Sequence, residues 1–203
     1  MPPDANNRAV FLDRDGTIVE DTGYPSGRDP IIMLPGVPEA IATLNNAGFK
    51  VIVITNQSGV DRGYFDAHAV DEFHAILNDL LAVSDARIDA YYFCPHTPDE
   101  NGDPACNCRK PRAGLLQSAG QEHGVDLERS FLVGDKPSDV EAGKIAGCKA
   151  IRLMPDKGVH EADTCLPDHV ATDLPKAVEW IMLREDSSNK WDGSTQDHGC
   201  KKR

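Results

Sequence analysis

The sequence predicts an α/β fold, a three-layer sandwich with a central parallel sheet. Three observations carry this. Five short apolar runs recur along the chain, helical patterns lie between them, and polar residues stop the runs abruptly. Short continuous apolar runs suit strands buried on both faces of a sheet, and alternation with helices suits parallel pairing.

The elements follow in order. Ala9-Val10-Phe11-Leu12 is the first run and ends at Asp13. Val37 to Asn46 reads as a helix, with Gly48 placed to close it. Val51-Ile52-Val53-Ile54 is the second run, bounded by Gly48 and Asn56. Asp66 to Val83 carries Val70, Phe73, Leu77, Leu80 and Leu81 at helical spacing. Tyr91-Tyr92-Phe93 ends a third run, and Gly114 to His123 is a shorter helix. Phe131-Leu132-Val133 is the fourth run, stopped by Gly134. Ser138-Asp139-Val140-Glu141 has the form of a capping box and opens a helix to about Ile145. Ala150 to Leu153 is the fifth run. Asp173 caps a last helix with Leu174, Ala177, Val178 and Ile181 on one face. From Glu185 to Arg203 the chain is polar, with Trp191 as its one large apolar residue. The expected organisation is one domain over residues 1–184 and a mobile tail over 185–203.

At 203 residues, 40% hydrophobic and 27% charged, the chain fits a single domain with a sizeable core. The formal net charge of −12 argues against nucleic acid and anionic membrane as partners, because both need a basic footprint. A small anionic substrate remains open, since local Lys, Arg and metal can invert the potential inside a cleft. No run approaches ~18 apolar residues, so no membrane span is expected. Met1 to Arg8 lacks the apolar centre of a signal peptide. A cytoplasmic monomer is the default expectation. The six cysteines then read as thiols or metal ligands.

In sheets of this kind ligands sit beyond the carboxyl ends of the strands. There the first run delivers Asp13-Arg14-Asp15-Gly16-Thr17. Two carboxylates two residues apart, with Gly16 permitting a turn, can reach one centre. One can attack phosphorus while the other protonates the leaving oxygen. The second run delivers Thr55-Asn56-Gln57-Ser58-Gly59, where the Thr55 hydroxyl and exposed N–H groups suit a phosphate oxygen, or form an ordinary polar loop. The fourth delivers Gly134-Asp135-Lys136-Pro137-Ser138-Asp139. Asp135 is placed to ligate a hard cation. Asp139 either supports it or serves the helix N-terminus.

A second signal is Cys94-Pro95-His96 followed by Cys106-Asn107-Cys108. Three thiols and one imidazole form the Cys₃His set of a closed tetrahedral zinc site. The stretch between them, Asp99 to Pro104, has loop composition, so the metal would order it. Cys148, Cys165 and Cys200 are isolated and read as buried or incidental thiols.

Together these segments resemble the haloacid dehalogenase superfamily of phosphatases, over about residues 8–153. Its Asp-x-Asp-Gly-Thr motif stands as Asp13 to Thr17, its strand-ending Thr as Thr55, its Lys as Lys110 and its acidic pair as Asp135 and Asp139. The resemblance implies that Asp13 becomes an aspartyl phosphate while Asp15 acts as acid and then base. It also implies Mg²⁺ held by Asp13, Asp135 and the backbone carbonyl of Asp15.

The cysteine loop, with Gly23-Tyr24, Arg62-Gly63 and Arg109-Lys110-Pro111, narrows the likeness to the D-glycero-D-manno-heptose 1,7-bisphosphate 7-phosphatases. The histidinol-phosphate phosphatases share nearly all of these motifs. Members lack a large cap domain, and this chain has no room for one. Loops Asp21 to Ile31, Gly59 to Asp66 and Cys94 to Arg112 would then shape the pocket. Thr55, Asn56 and Lys110 are the expected phosphate contacts. Arg109, and then Arg62, are the candidates for a second phosphate. Histidinol phosphate would instead place an amine near Glu20, Asp21, Asp61 or Asp66. A third reading is a zinc-stabilised binding protein without catalysis, against which the intact Asp13, Asp15, Lys110 and Asp135 set speaks.

Overall fold

The structure, a computed structural model, describes residues 7–154 and 165–188. Six strands form one sheet: β1 (Ala9–Leu12), β2 (Lys50–Asn56), β3 (Ala90–Cys94), β4 (Phe131–Gly134), β5 (Lys149–Leu153) and β6 (His169–Ala171). They are ordered β3-β2-β1-β4-β5-β6 and every pair is parallel. The helices are α1 (Val37–Asn46), α2 (Ala67–Ala82), α3 (Gly114–His123), α4 (Pro137–Ala146) and α5 (Leu174–Ser188).

The period-two alternation of the buried strands divides the core. Val10, Leu12, Val51, Val53, Phe131 and Val133 join the apolar faces of α1, α2 and α5. Ala9, Phe11, Ile52, Ile54 and Leu132 join those of α3 and α4. Three layers result, as the apolar runs predict. Successive strands grow outward from β1 to β3, and the chain then returns to lay β4 beside β1. That reversal opens a crevice at the carboxyl ends of β1 and β4, the place where such sheets bind ligands. No large cap is inserted among the described residues.

Four details depart from the sequence reading. The sixth strand, His169–Ala171, has three residues and no apolar run to announce it. The fourth helix begins at Pro137, one residue before Ser138, and its N-cap is Lys136. Proline fits this first position because its missing N–H would have no intrahelical partner. Asp139 is the third helical residue and accepts from Lys136 N at 2.9 Å, which is half of a box; the lysine side chain has no acceptor, and the Asp139 N–H goes to Lys136 O instead. Cys165 is disulfide-bonded rather than an isolated thiol, whereas Cys148 is free and buried. The tail expected from Glu185 starts while α5 still runs to Ser188; the rest of it, with Cys200, lies outside the described residues.

Candidate active site

Asp13 leaves β1 and Asp135 leaves β4, so the switch between these neighbouring strands brings both carboxylates to one crevice. Asp13, Asp135 and Asp139 each present a carboxylate oxygen within 4.8 Å of the others. Lys110 is buried between two of them. Its Nζ lies 2.8 Å from Asp13 Oδ1 and 2.6 Å from Asp139 Oδ1, and it donates to Ile54 O at 2.8 Å. Burial alone would pull its pKa down. The attraction of Asp13 and then Asp139 outweighs that and raises it, so the ammonium stays charged.

Asp139 thus has two roles. One oxygen orients Lys110, and the other caps the fourth helix. Gly134 makes this approach possible, since a Cβ there would lie 2.3 Å from Asp139 Oδ2.

The donor set suits a hard divalent cation. The Asp135 carboxyl is pushed up to about 6, by burial first and then by Asp13. Its Oδ1 is buried without a hydrogen-bond partner. A carboxylate oxygen in that state needs a cation or a proton. Gly16, at φ +84°, passes so close that a Cβ would stand 2.5 Å from Asp135 Oδ2. The backbone after Asp15 therefore lies against the metal-competent carboxylate.

Asp15 is held separately. Arg14 Nε donates to its Oδ1 at 3.0 Å and Arg14 NH2 to its Oδ2 at 3.1 Å, while Gln57 Nε2 donates to Oδ2 at 2.8 Å. Burial raises the Asp15 carboxyl above its ordinary range, and Arg14 opposes that shift. Gln57 also donates to Thr55 Oγ1 at 2.9 Å, placing the threonine beside the same cluster. The sequence alone singles out neither Gln57 nor Arg14. Gln57 sits in a polar loop that offers no periodicity. Arg14 stands inside the Asp13 to Thr17 motif, but its contacts with Pro25, Phe73 and His74 join it to segments far along the chain, which no local pattern announces.

The cysteine cluster forms as the spacing predicts. Sγ–Sγ separations among Cys94, Cys106 and Cys108 are 3.1–3.5 Å, and His96 Nδ1 lies 3.6 Å from Cys94 and 3.3 Å from Cys108. The edges of a zinc tetrahedron with sulfur and nitrogen ligands are about 3.5–3.8 Å, so the four donors already stand near that geometry. All three thiols are free. The loop tip has its own order, since Asp99 Oδ1 accepts from Asn101 N and Asp103 N, each at 2.9 Å.

This cluster is tied to the crevice. Asn56 spends both ends of its amide on the Lys110 backbone, accepting from Lys110 N at 3.1 Å and donating to Lys110 O at 3.2 Å. These two contacts tie the Asn56 side chain to the Lys110 backbone, and the amide nitrogen keeps a second N–H. Arg109 NH1 donates to His96 O at 3.0 Å, which seats its guanidinium on the cysteine loop. Arg62 is exposed on the turn that follows β2. No helix among the described residues is long and apolar enough to cross a membrane.

A parallel sheet with paired aspartates beyond β1, an aspartate beyond β4 and a buried lysine between them is the arrangement of a HAD-like hydrolase. The family model described as "HAD-hyrolase-like" matches residues 107–177. A D-glycero-D-manno-heptose-1,7-bisphosphate 7-phosphatase of Thermosynechococcus vestitus is 38% identical over 185 residues, covering 85% of this chain and 94% of the relative. A D-glycero-beta-D-manno-heptose-1,7-bisphosphate 7-phosphatase of Rhodopseudomonas palustris is 44% identical over 148 residues, covering 71% and 82%. The crystal structure of D,D-heptose 1,7-bisphosphate phosphatase from B. bronchiseptica, complexed with magnesium and phosphate, matches with a TM-score of 0.74 at 32% identity, over 87% of this chain and 99% of that one. The chain belongs to the heptose-1,7-bisphosphate 7-phosphatase family of HAD-like hydrolases.

Proposed function

We propose that the protein hydrolyses the 7-phosphate of D-glycero-D-manno-heptose 1,7-bisphosphate through an aspartyl phosphate on Asp13. The observation that carries this reading is the Lys110 ammonium held between Asp13 and Asp139 at the crevice. A carboxylate nucleophile must approach a phosphate dianion, and a fixed buried cation beside it offsets that repulsion. Mg²⁺, for which Asp13, Asp135 and the Asp15 carbonyl are the proposed ligands, would supply further charge neutralisation at the transferred phosphoryl group. Asp13 attacks phosphorus as Asp15 gives a proton to the departing sugar oxygen. Asp15 then takes a proton from water, whose oxygen attacks phosphorus and frees Asp13. Thr55, beside Gln57, is the proposed hydroxyl contact to the phosphoryl oxygens.

Zinc at Cys94, His96, Cys106 and Cys108 has a structural role in this reading, fixing the loop that carries Arg109 and Lys110. Arg109 is the proposed contact for the distal phosphate, because guanidinium pairs with phosphate bidentately, and Arg62 is the second candidate. An amino alcohol phosphate is less well served. Of the four carboxylates near the loops, Asp21 is paired with Lys136, Asp61 accepts twice from Thr97 and Asp66 caps α2, which leaves the exposed Glu20 for an amine.

The test compares kcat/KM for the heptose bisphosphate and histidinol phosphate in wild type and Arg109→Ala. The reading requires the bisphosphate to be preferred and Arg109→Ala to lower its turnover. A preference for histidinol phosphate, or an unchanged rate in Arg109→Ala, would overturn the substrate assignment.

A further inference from the structure

Among the described residues Arg14 is the largest fully buried side chain, at 0% exposure. An arginine is almost never fully buried without partners, and a buried charge is a poor way to gain stability. Its partners are therefore informative. Its guanidinium lies 4.4 Å above the Phe73 ring. NH2 donates to Pro25 O at 3.1 Å, and NH1 lies 3.5 Å from His74 Nε2. The two remaining contacts form a fork onto both oxygens of Asp15.

His74 fixes the far side of the guanidinium. Its pKa is lowered to about 3, by burial first and then by Arg14, so the imidazole is neutral. Arginine has no acceptor, so the Nε2 facing it carries the lone pair and the ring proton sits on Nδ1. The ring stacks on Tyr91 with centroids 4.2 Å apart. Arg14 is thus held from behind by a ring, a carbonyl and an aromatic face, and only its fork edge meets the crevice.

We infer that Arg14 is a positioning residue that fixes the plane of the Asp15 carboxylate and leaves Oδ1 as the oxygen that exchanges the proton. This rests on the acid–base role proposed above for Asp15. The assignment follows from counting acceptor sites. A carboxylate oxygen has about two. Oδ2 accepts from Arg14 NH2 and Gln57 Nε2 and is saturated. Oδ1 accepts from Arg14 Nε alone and keeps one site. In the first half-reaction the Asp13–phosphorus bond forms, the phosphorus–oxygen bond of the sugar phosphate breaks, and the Oδ1 proton goes to the leaving oxygen. In the second half-reaction water gives a proton back to Oδ1 as its oxygen displaces Asp13. A lysine at position 14 would bring the charge without the fork, so the plane would be lost.

The experiment measures single-turnover formation of phosphoenzyme by rapid acid quench in wild type, Arg14→Lys, Arg14→Met, Asp15→Asn and the Arg14→Lys/Asp15→Asn double variant. It uses the heptose bisphosphate, whose alkoxide needs a proton, and p-nitrophenyl phosphate, whose leaving group does not. Thermal unfolding of each variant is recorded alongside, and Arg14→Lys serves if Arg14→Met does not fold. Positioning predicts a fall on the order of 10²-fold with the sugar phosphate in both Arg14 variants. It predicts less than about threefold with the aryl phosphate, and little further loss when Arg14→Lys is added to Asp15→Asn. Equal losses on both substrates, full activity in Arg14→Lys, or additive losses with Asp15→Asn would overturn it. Wild type forming no phosphoenzyme at all would instead sink the aspartyl-phosphate reading on which it rests.

Discussion

Replacing Lys110 by methionine keeps the length of the stem and removes the charge between Asp13 and Asp139. The ammonium stands 2.8 Å from the Asp13 oxygen and 2.6 Å from the Asp139 oxygen. At an effective dielectric of about 20, each of these attractions is worth roughly 6 kcal/mol gross. Desolvating the three buried groups takes back much of this, and breaking a buried pair typically costs about 3–5 kcal/mol because a bare charge is left behind. Lys110→Met should therefore lose about 3–5 kcal/mol in urea unfolding, in magnesium-free buffer without chelator so that zinc is retained. Adding Asp139→Asn removes one stranded carboxylate and should recover about 1–2 kcal/mol despite being a second core change. A Lys110→Met protein within about 1 kcal/mol of wild type would refute this reasoning. So would a double variant less stable than the single one. Phosphoenzyme formation in Lys110→Met should fall at least about 10²-fold, as expected when a preorganised cation is lost.

Purified protein should carry about one zinc per chain, and Cys106→Ser should lose both the metal and phosphatase activity, as elemental analysis and phosphate release will show. Magnesium affinity should weaken as pH falls through about 6. A proton on Asp135, whose carboxyl titrates near that value, competes with the cation, so each lower unit should cost up to about tenfold; a magnesium titration flat down to about pH 5 would contradict this. Gly16→Ala should cost about 1–3 kcal/mol in unfolding free energy and abolish magnesium activation of phosphate release. Its φ of +84° disfavours a side chain, and the added methyl would strike Asp135.

Much of this site is legible without the fold, and the reasons are physical. A strand that ends at Asp13 and another that ends beside Asp135 leave few ways to place those carboxylates except together. Cys94, His96, Cys106 and Cys108 share a chemistry that spacing alone reveals. The illegible part depends on side-chain direction and on pairing across the chain. Asn56 reads from the sequence only as a polar residue at a strand end, and its contacts with the Lys110 backbone depend on its register opposite Cys94 in β3. Asp139 belongs to the helix cap and to Lys110 at once because Gly134 lets it approach. Arg14 has partners on segments remote in sequence, so no local pattern assigns it. The three residues of β6 fall below the length at which an apolar run is visible.

The central claim is that Asp13 carries the phosphoryl group. The direct measurement is rapid acid quenching of the magnesium-loaded enzyme with heptose 1,7-bisphosphate, followed by peptide mass mapping. The account predicts a phosphoryl group on the peptide containing Asp13, accumulating in Asp15→Asn and absent from Asp13→Asn, which should fold normally and release no phosphate. A phosphoryl group on another residue, or substantial steady-state turnover by Asp13→Asn, would contradict it.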